Sequence, residues 1–153
     1  MSNTDRFAVA TSWQRLDTDS PESFHRGHTV RFGSGTTIAA SSAPSFSGDA
    51  DRVNPEEQLV GALSSCHMLT FLAVAAKKRF TVASYDDDAD GHLDKNADGR
   101  LAVTAVTLRP LVTFAGDKQP SADDVKGMHE AAHRNCFIAN SVKTVVTLEP
   151  RFT

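Results

Sequence analysis

Apolar and polar residues alternate along the first third of the chain, as they do in half-buried strands. The alternation over residues 6–16 predicts a β-strand. Residues 28–32 and 36–40 have strand-like patterns and flank the sequence Gly-Ser-Gly at 33–35, which predicts a β-hairpin. Residues 41–53 are rich in Ser, Pro, Gly and Asp and predict a surface loop.

The longest apolar stretch of the chain has the pattern of a helix. Asn54 is a favourable N-cap and Pro55 suits the first helical position, so we expect a helix from here to about Lys78. Residues 59–76 are apolar around most of the circumference, which predicts burial on nearly all sides. Several polar residues interrupt this stretch and make it a poor membrane span. We expect a partner subunit to cover part of the helix.

The second half of the chain continues with strands and one more helix. Residues 80–86 and 101–114 predict strands, and an Asp- and Gly-rich connection joins them. A capping-box signature opens a second helix over 121–135, and a last strand is expected over 143–152. This order lacks regular βαβ alternation, so it predicts an α+β fold. The length of 153 residues fits a single domain over 1–153.

Composition and charge indicate a soluble protein and argue against some classes of function. Hydrophobic residues make up 40% and charged residues 23%, as in ordinary soluble proteins. The net charge of -3 and the pI near 6.0 argue against nucleic-acid binding, which favours a basic surface. The N-terminus lacks the pattern of a signal peptide, so we expect a cytoplasmic protein with no membrane partner.

The only two cysteines are the first candidates for chemistry. Cys66 falls within the apolar helix pattern, and Cys136 follows the second helix 70 positions later. The absence of a CxxC pair argues against zinc-ribbon and thioredoxin sites. The two sulfurs can meet if the helices pack together. Two unrelated core cysteines are the alternative, since free cysteine often serves as a small buried hydrophobe.

Two segments around these cysteines resemble signatures of the OsmC/Ohr family, which comprises osmotically inducible protein C-like and organic hydroperoxide resistance proteins. One is NPEEQLVGALSSC at 54–66, and the other is AAHRNC at 131–136. The resemblance extends over nearly the whole chain. It implies an OsmC-like fold, with antiparallel sheets around central core helices, and an intertwined homodimer whose sites lie at the subunit interface.

The same resemblance implies a thiol-dependent peroxidase that protects against oxidative stress. Cys66 would attack an organic or lipid hydroperoxide and become a sulfenic acid, which Cys136 would convert to a disulfide. An external dithiol, by family expectation a lipoylated protein, would reduce that disulfide. No bound cofactor or metal is expected.

The resemblance also implies an arginine from the first hairpin, held by the glutamate Glu56. Arg26 is the best candidate and Arg31 is its rival. An apolar helix interior raises the pKa of a thiol, so we expect Cys66 to need a nearby cation. In one continuous helix Glu56 and Cys66 lie roughly 15 Å apart. We therefore expect Arg26 and Glu56 to come from the partner subunit, or the helix to break near Glu57.

Two groups of residues could instead form ion-binding sites. His129, His133 and Cys136 have helical spacing and could hold a metal together with His67 or Cys66. The acidic run at 86–91 begins like a calcium loop, but Ala97 stands where a bidentate glutamate is required. We expect a solvated turn at this run and no metal at either place.

A second function remains open beside the peroxidase. Peroxidases of the family usually have proline after the second cysteine and a bulky apolar residue after the first. This chain has Phe137 and His67 at those positions. The alternative is an OsmC-like stress protein or a small apolar ligand-binding protein without efficient peroxidase turnover.

Overall fold

The computed structural model describes residues 4–153, which form two compact units that meet in the sequence between Gln58 and Leu59. The first unit contains one antiparallel sheet in the order β1-β2-β3. Its strands are β1 (Val9–Ser12), β2 (His28–Phe32) and β3 (Thr37–Ala40). The hairpin prediction is confirmed, whereas the strand predicted over 6–16 is shorter.

The first long helix, α1, extends from Pro55 to Lys77. The predicted cap is confirmed, because the Asn54 side chain accepts a hydrogen bond from the Glu57 N–H at 2.8 Å. The carboxylate of Glu57 in turn accepts from the Asn54 N–H at 3.1 Å, which completes a capping box. The last loop before the helix contains a short 3-10 turn at Pro44–Phe46.

Only one stripe of α1 is buried within the chain. The buried residues recur every four positions, at Leu63, His67, Phe71 and Ala75. The side chain of Leu69 is 60% exposed, so burial on nearly all sides is not achieved by a single chain. By length and composition α1 could also cross a membrane, a test that core helices of soluble proteins pass as well.

The second unit contains two sheets. Strand β4 (Thr81–Asp87) pairs antiparallel with β7 (Pro110–Ala115). The other sheet has the order β5-β6-β8, in which β5 (Asp90–Lys95) is antiparallel to β6 (Leu101–Leu108). Strand β8 (Val145–Leu148) lies parallel to β6 and is shorter than predicted.

One predicted strand is two strands in the structure. The alternation over 101–114 continues across Arg109, but the chain leaves one sheet there and enters the other. The Arg109 N–H donates to Asp87 Oδ1 at 2.6 Å, which fixes the change of direction. Strand β5 was not predicted, because its sequence is polar and its residues are mostly exposed.

The second helix, α2, extends from Ala122 to Asn135 and begins with the predicted capping box of Ser121 and Asp124. Its apolar residues Val125, Met128 and Ala132 pack with Phe71 and Ala75 of α1 in one core cluster. A second cluster joins α1 to the sheet of β6 and is formed by Leu63, Val106 and Leu108. The α+β class is confirmed, and within residues 4–153 all strand pairs are antiparallel except β6 with β8.

Candidate active site

Cys66 and Cys136 come together although they belong to different helices. Cys66 lies in the middle of α1, and Cys136 is the C-terminal cap of α2. Both are free thiols, and their side chains are hydrogen-bonded to each other. Cys136 is 1% exposed, whereas Cys66 is only partly buried. The more accessible sulfur is therefore the one in the helix interior.

The two thiols differ in acidity. Burial raises the pKa of Cys66, but hydrogen bonds from the Ile138 N–H, the Cys136 thiol and the Phe137 N–H outweigh it and lower the pKa. The Thr70 hydroxyl donates to the Cys66 carbonyl at 2.8 Å. The pKa of Cys136 is raised, first by burial and then by the neighbouring Cys66. At neutral pH Cys66 is the better nucleophile, and Cys136 stays a thiol that can donate to it.

The N–H donors come from the turn after α2. Cys136 has an extended conformation that ends the helix, and its carbonyl accepts from the Asn140 N–H at 3.0 Å. The Ala139 N–H points at Cys136 Sγ, 3.4 Å away. The Ser141 hydroxyl donates to the Phe137 carbonyl at 2.7 Å and holds the turn closed. The turn thus presents successive N–H groups to the two sulfurs.

This turn supplies donors that the sequence did not predict. The expected cation stays a prediction, and beside it neutral donors of the same chain already lower the pKa of Cys66. Backbone N–H groups stabilise a thiolate as an oxyanion hole stabilises an oxygen anion. The sequence carries no signal for them, because every residue except proline has an N–H.

A pair of buried histidines lies beside the cysteines. His67 Nε2 and His129 Nδ1 are 3.0 Å apart, and the two rings are almost parallel at 8°. Burial lowers the pKa of each histidine from 6.5 to about 4, so both are neutral at neutral pH. His67 Nδ1 and His129 Nε2 are buried without a hydrogen-bond partner among residues 4–153. The sequence suggested both as possible metal ligands and His67 as a departure from the family pattern, but it did not predict that they pair.

Arg26 and Arg31 belong to the first unit. The Arg26 guanidinium donates to the Phe24 carbonyl and lies 4.3 Å from the centre of the Phe24 ring. It lines a cavity of about 500 Å³, together with Trp13 and His25 among others. Arg31 lies in the middle strand β2, between Ala10 and Thr37.

Glu56 lies in the first turn of α1. Its Oε2 is buried and has no hydrogen-bond partner among the described residues. Because α1 is continuous from Pro55 to Lys77, the ten positions from Glu56 to Cys66 correspond to about 15 Å along the helix axis. The alternative of a helix break near Glu57 is therefore wrong. The expectation that Glu56 and Arg26 come from a partner subunit stays a prediction.

The two ion-binding alternatives have little support. Within residues 4–153 no three His, Cys, Asp or Glu side chains are grouped so as to hold a metal. In the acidic run, Asp90 is paired with Arg109 at 2.7 Å and Asp88 with Arg151 at 3.1 Å. These carboxylates therefore serve ion pairs at a turn between strands.

Comparison with known proteins gives a consistent result. The family profile described as OsmC-like protein matches residues 48–151. An OsmC-like protein of unknown function from Vibrio cholerae is 43% identical, with a TM-score of 0.93 over 97% of this chain and 100% of that chain. The protein YmaD of Bacillus subtilis, described as uncharacterized, is 26% identical over 120 residues, 76% of this chain and 78% of its own length.

Two further solved structures share the fold at low identity. An organic hydroperoxide resistance protein from Elizabethkingia anophelis is 14% identical, with a TM-score of 0.74 over 100% of this chain and 99% of its own. The organic hydroperoxide resistance protein OhrB of Bacillus subtilis is 16% identical, with a TM-score of 0.68 over 97% of this chain and 98% of its own.

Proposed function

The chain belongs to the OsmC-like protein family, and from this premise we propose that it is a thiol-dependent peroxidase that reduces organic or lipid hydroperoxides. The observation that carries the proposal is the unequal pair of cysteines. Cys66 has a lowered pKa, and Cys136 is a protonated thiol hydrogen-bonded to it. A two-cysteine peroxidase needs this division between an attacking thiolate and a resolving thiol.

The proposed cycle has three steps, which begin and end with both cysteines reduced. The Cys66 thiolate attacks the terminal oxygen of the hydroperoxide, the O–O bond breaks, and the alkoxide leaves and takes up a proton to give the alcohol. Cys66 is now a sulfenic acid, and the peroxide has been reduced by two electrons. The Cys136 thiol attacks the Cys66 sulfur, which forms the disulfide and releases water. An external dithiol, for which a lipoylated protein is our candidate, restores both thiols by exchange.

The site is proposed to be completed by a second copy of the chain. Glu56 Oε2 is buried without a partner among the described residues, and an arginine is the donor that best suits a buried carboxylate. The exposed Leu69 on α1 leaves an apolar face for another subunit. We propose an intertwined homodimer in the cytoplasm, in which Arg26 and Glu56 of one subunit reach Cys66 of the other.

Single-turnover oxidation with cumene hydroperoxide tests the proposal. We expect the wild type to consume about one equivalent of peroxide per reduced site and to form a Cys66–Cys136 disulfide. Cys136→Ser should still consume peroxide and trap a sulfenic acid at Cys66, which a dimedone adduct identifies by mass spectrometry. Cys66→Ser should consume none.

The proposal fails if the wild type leaves the peroxide unconsumed or if Cys66→Ser consumes it as fast as the wild type. In the first case the alternative function, binding of a small apolar ligand without peroxidase turnover, becomes the better explanation. Ser65→Ala is the matched control, because Ser65 is an exposed neighbour of Cys66 on the same helix.

A further inference from the structure

Two polar side-chain pairs connect α1 to α2 at the candidate site. One is the Cys66–Cys136 pair, and the other is the buried His67–His129 pair. On α1 the cysteine and the histidine are adjacent in sequence. On α2 the histidine comes seven residues before the cysteine, which is two helical turns or about 10 Å. The histidine pair therefore lies beside Cys66 on α1 and about two turns from Cys136 on α2.

The core cluster shared by the two helices is apolar. His129 packs against Phe71 with ring centres 4.4 Å apart, and Phe71 and Ala75 pack with Met128 and Ala132. Apolar packing has no preferred direction and tolerates small shifts along a helix. A buried hydrogen bond is directional, and buried polar contacts often specify one arrangement of packed helices.

We propose that His67 and His129 are positioning residues, whose mutual hydrogen bond fixes α1 against α2 so that the turn after Cys136 stays at the Cys66 sulfur. The inference rests on the proposed role of Cys66 as the reactive thiol. His67 is 1% exposed and His129 is 3% exposed, so water cannot replace the bond between them. Their outer nitrogens have no partner among residues 4–153, which leaves this bond as the polar contact of both rings.

The geometry links the histidine bond to thiol acidity. The Ile138 and Phe137 N–H groups and the Cys136 thiol all come from the C-terminal end of α2. A shift of α2 along α1 moves these donors away from Cys66 together. Cys66 then keeps the effect of burial, which raises its pKa, and loses the hydrogen bonds that lower it.

The test measures the acidity of Cys66 in variants that keep or lose the hydrogen bond. The rate of Cys66 alkylation by iodoacetamide is followed as a function of pH, with the modified residue identified by mass spectrometry. His67→Gln keeps a hydrogen-bonding atom near the position of Nε2 and should titrate like the wild type. His67→Phe keeps the ring volume without the nitrogen, and its Cys66 should titrate at higher pH, with alkylation at pH 7 slower by about tenfold for each unit.

A double variant separates positioning from stability. His67→Phe with His129→Leu leaves no unpaired buried imidazole, so it should unfold near the wild-type temperature. We nevertheless expect its Cys66 to titrate at higher pH and its disulfide equilibrium with dithiothreitol to shift at least about tenfold. His133→Gln removes an exposed imidazole from the same helix and should leave both measurements unchanged.

The inference is overturned if the folded double variant titrates like the wild type, because the pair would then only fill space. It is equally overturned if His67→Gln behaves like His67→Phe. Neither measurement uses peroxide. If the wild type fails to consume peroxide while these shifts occur, the proposed function is lost and the positioning role stands. If peroxide is consumed without these shifts, only the positioning role is lost.

Discussion

At the scale of single residues, some groups of the site can be predicted from the sequence and others cannot. Cys66 and Cys136 could be identified from the segments around them, and the structure brings the two side chains together. The N–H groups of Phe137 and Ile138 could not, because they are defined by the fold of a turn and not by side-chain type. The bond between His67 and His129 was missed for a related reason. Histidines 62 positions apart show no pattern until two helices are packed.

The first prediction concerns the thiol that donates to Cys66. Cys136→Ala removes this donor, so the pKa of Cys66 should rise and its alkylation at neutral pH should slow. The pH dependence of alkylation measures the change. Phe137→Ala is the control, since it removes an 81% exposed side chain and keeps the backbone N–H. An unchanged titration in Cys136→Ala would show that the thiol contributes nothing to the acidity of Cys66.

The second prediction concerns pH and the histidine pair. In the unfolded chain each imidazole binds a proton as the pH falls below about 6.5, whereas in the folded chain it stays neutral down to about 4. The unfolded state therefore binds more protons in this window, and the free energy of unfolding falls as the pH is lowered from 6.5 to 4. A depression of this size corresponds to about 3 kcal/mol for one histidine.

Urea unfolding at a series of pH values measures this dependence. Asp87, whose charge favours protonation of His67, and His133, whose charge opposes it, are the charged neighbours that contribute to the shift. The double variant His67→Phe, His129→Leu keeps these neighbours and should show a flatter profile between pH 6.5 and 4. A profile as steep as that of the wild type would contradict the assignment.

At the scale of secondary-structure elements, helices were predicted well and strands less well. Both helices have side-chain caps, at Asn54 and Ser121, and these capping signals are local in sequence. Strands depend on partners far along the chain. The alternation through Arg109 continues while the sheet changes, and Pro110 was the available signal, because proline is disfavoured inside a strand. Strand β5 has the polar composition of a turn and could not be recognised by its pattern.

The third prediction compares two glycines in the second unit. A Cβ at Gly91 would lie 2.6 Å from Cγ2 of Val60 and 3.3 Å from Cγ2 of Val106, so α1 can approach the sheet only over a glycine. Gly91→Ala should therefore lower the free energy of unfolding by about 1–3 kcal/mol. Gly127 lies in α2 with open space at its Cβ position, and Gly127→Ala should raise it by about 0.4–1 kcal/mol.

Chemical denaturation of the two variants at one pH provides the comparison. Opposite signs are expected although the substitution is the same, because a Cβ at Gly91 meets Val60 and a Cβ at Gly127 meets open space. Equal effects would mean that backbone entropy, and not the contact of Gly91 with Val60, decides the outcome.

At the scale of the whole molecule, a single chain leaves part of the predicted burial of α1 unmet. The fold class was predictable from the order of elements, and the family is confirmed by the match over residues 48–151. Burial of α1 on nearly all sides was predicted, but Leu69 is exposed and Glu56 has a buried oxygen without a partner in the described residues. A second subunit would cover the exposed side chain and bind the buried oxygen. The pattern of one sequence does not specify which surface packs against an exposed helix face.

The fourth prediction uses mixed dimers. Cys66→Ser and Arg26→Ala homodimers should both be inactive with cumene hydroperoxide. If Arg26 acts across the interface, a mixed dimer of the two has one site with both Cys66 and Arg26, so mixing and refolding the variants should restore activity. If Arg26 acts within its own chain, every site in the mixed dimer lacks one of the two residues.

Two controls accompany this experiment. Arg31→Ala replaces Arg26→Ala in a parallel mixture and should already be active as a homodimer. Multi-angle light scattering establishes the molar mass of each mixture. A monomeric mass for the wild type would contradict the proposed assembly before any activity is measured.

The turn after α2 has a consequence for biosynthesis. Cys66 emerges from the ribosome well before Cys136 and the N–H groups that follow it, since 70 positions separate the two cysteines. Until that later segment has been synthesised and has docked, Cys66 lacks the donors that lower its pKa. The nascent chain therefore carries an ordinary, poorly reactive thiol. Under the proposed function, Cys66 therefore becomes the reactive thiol only when this turn has docked.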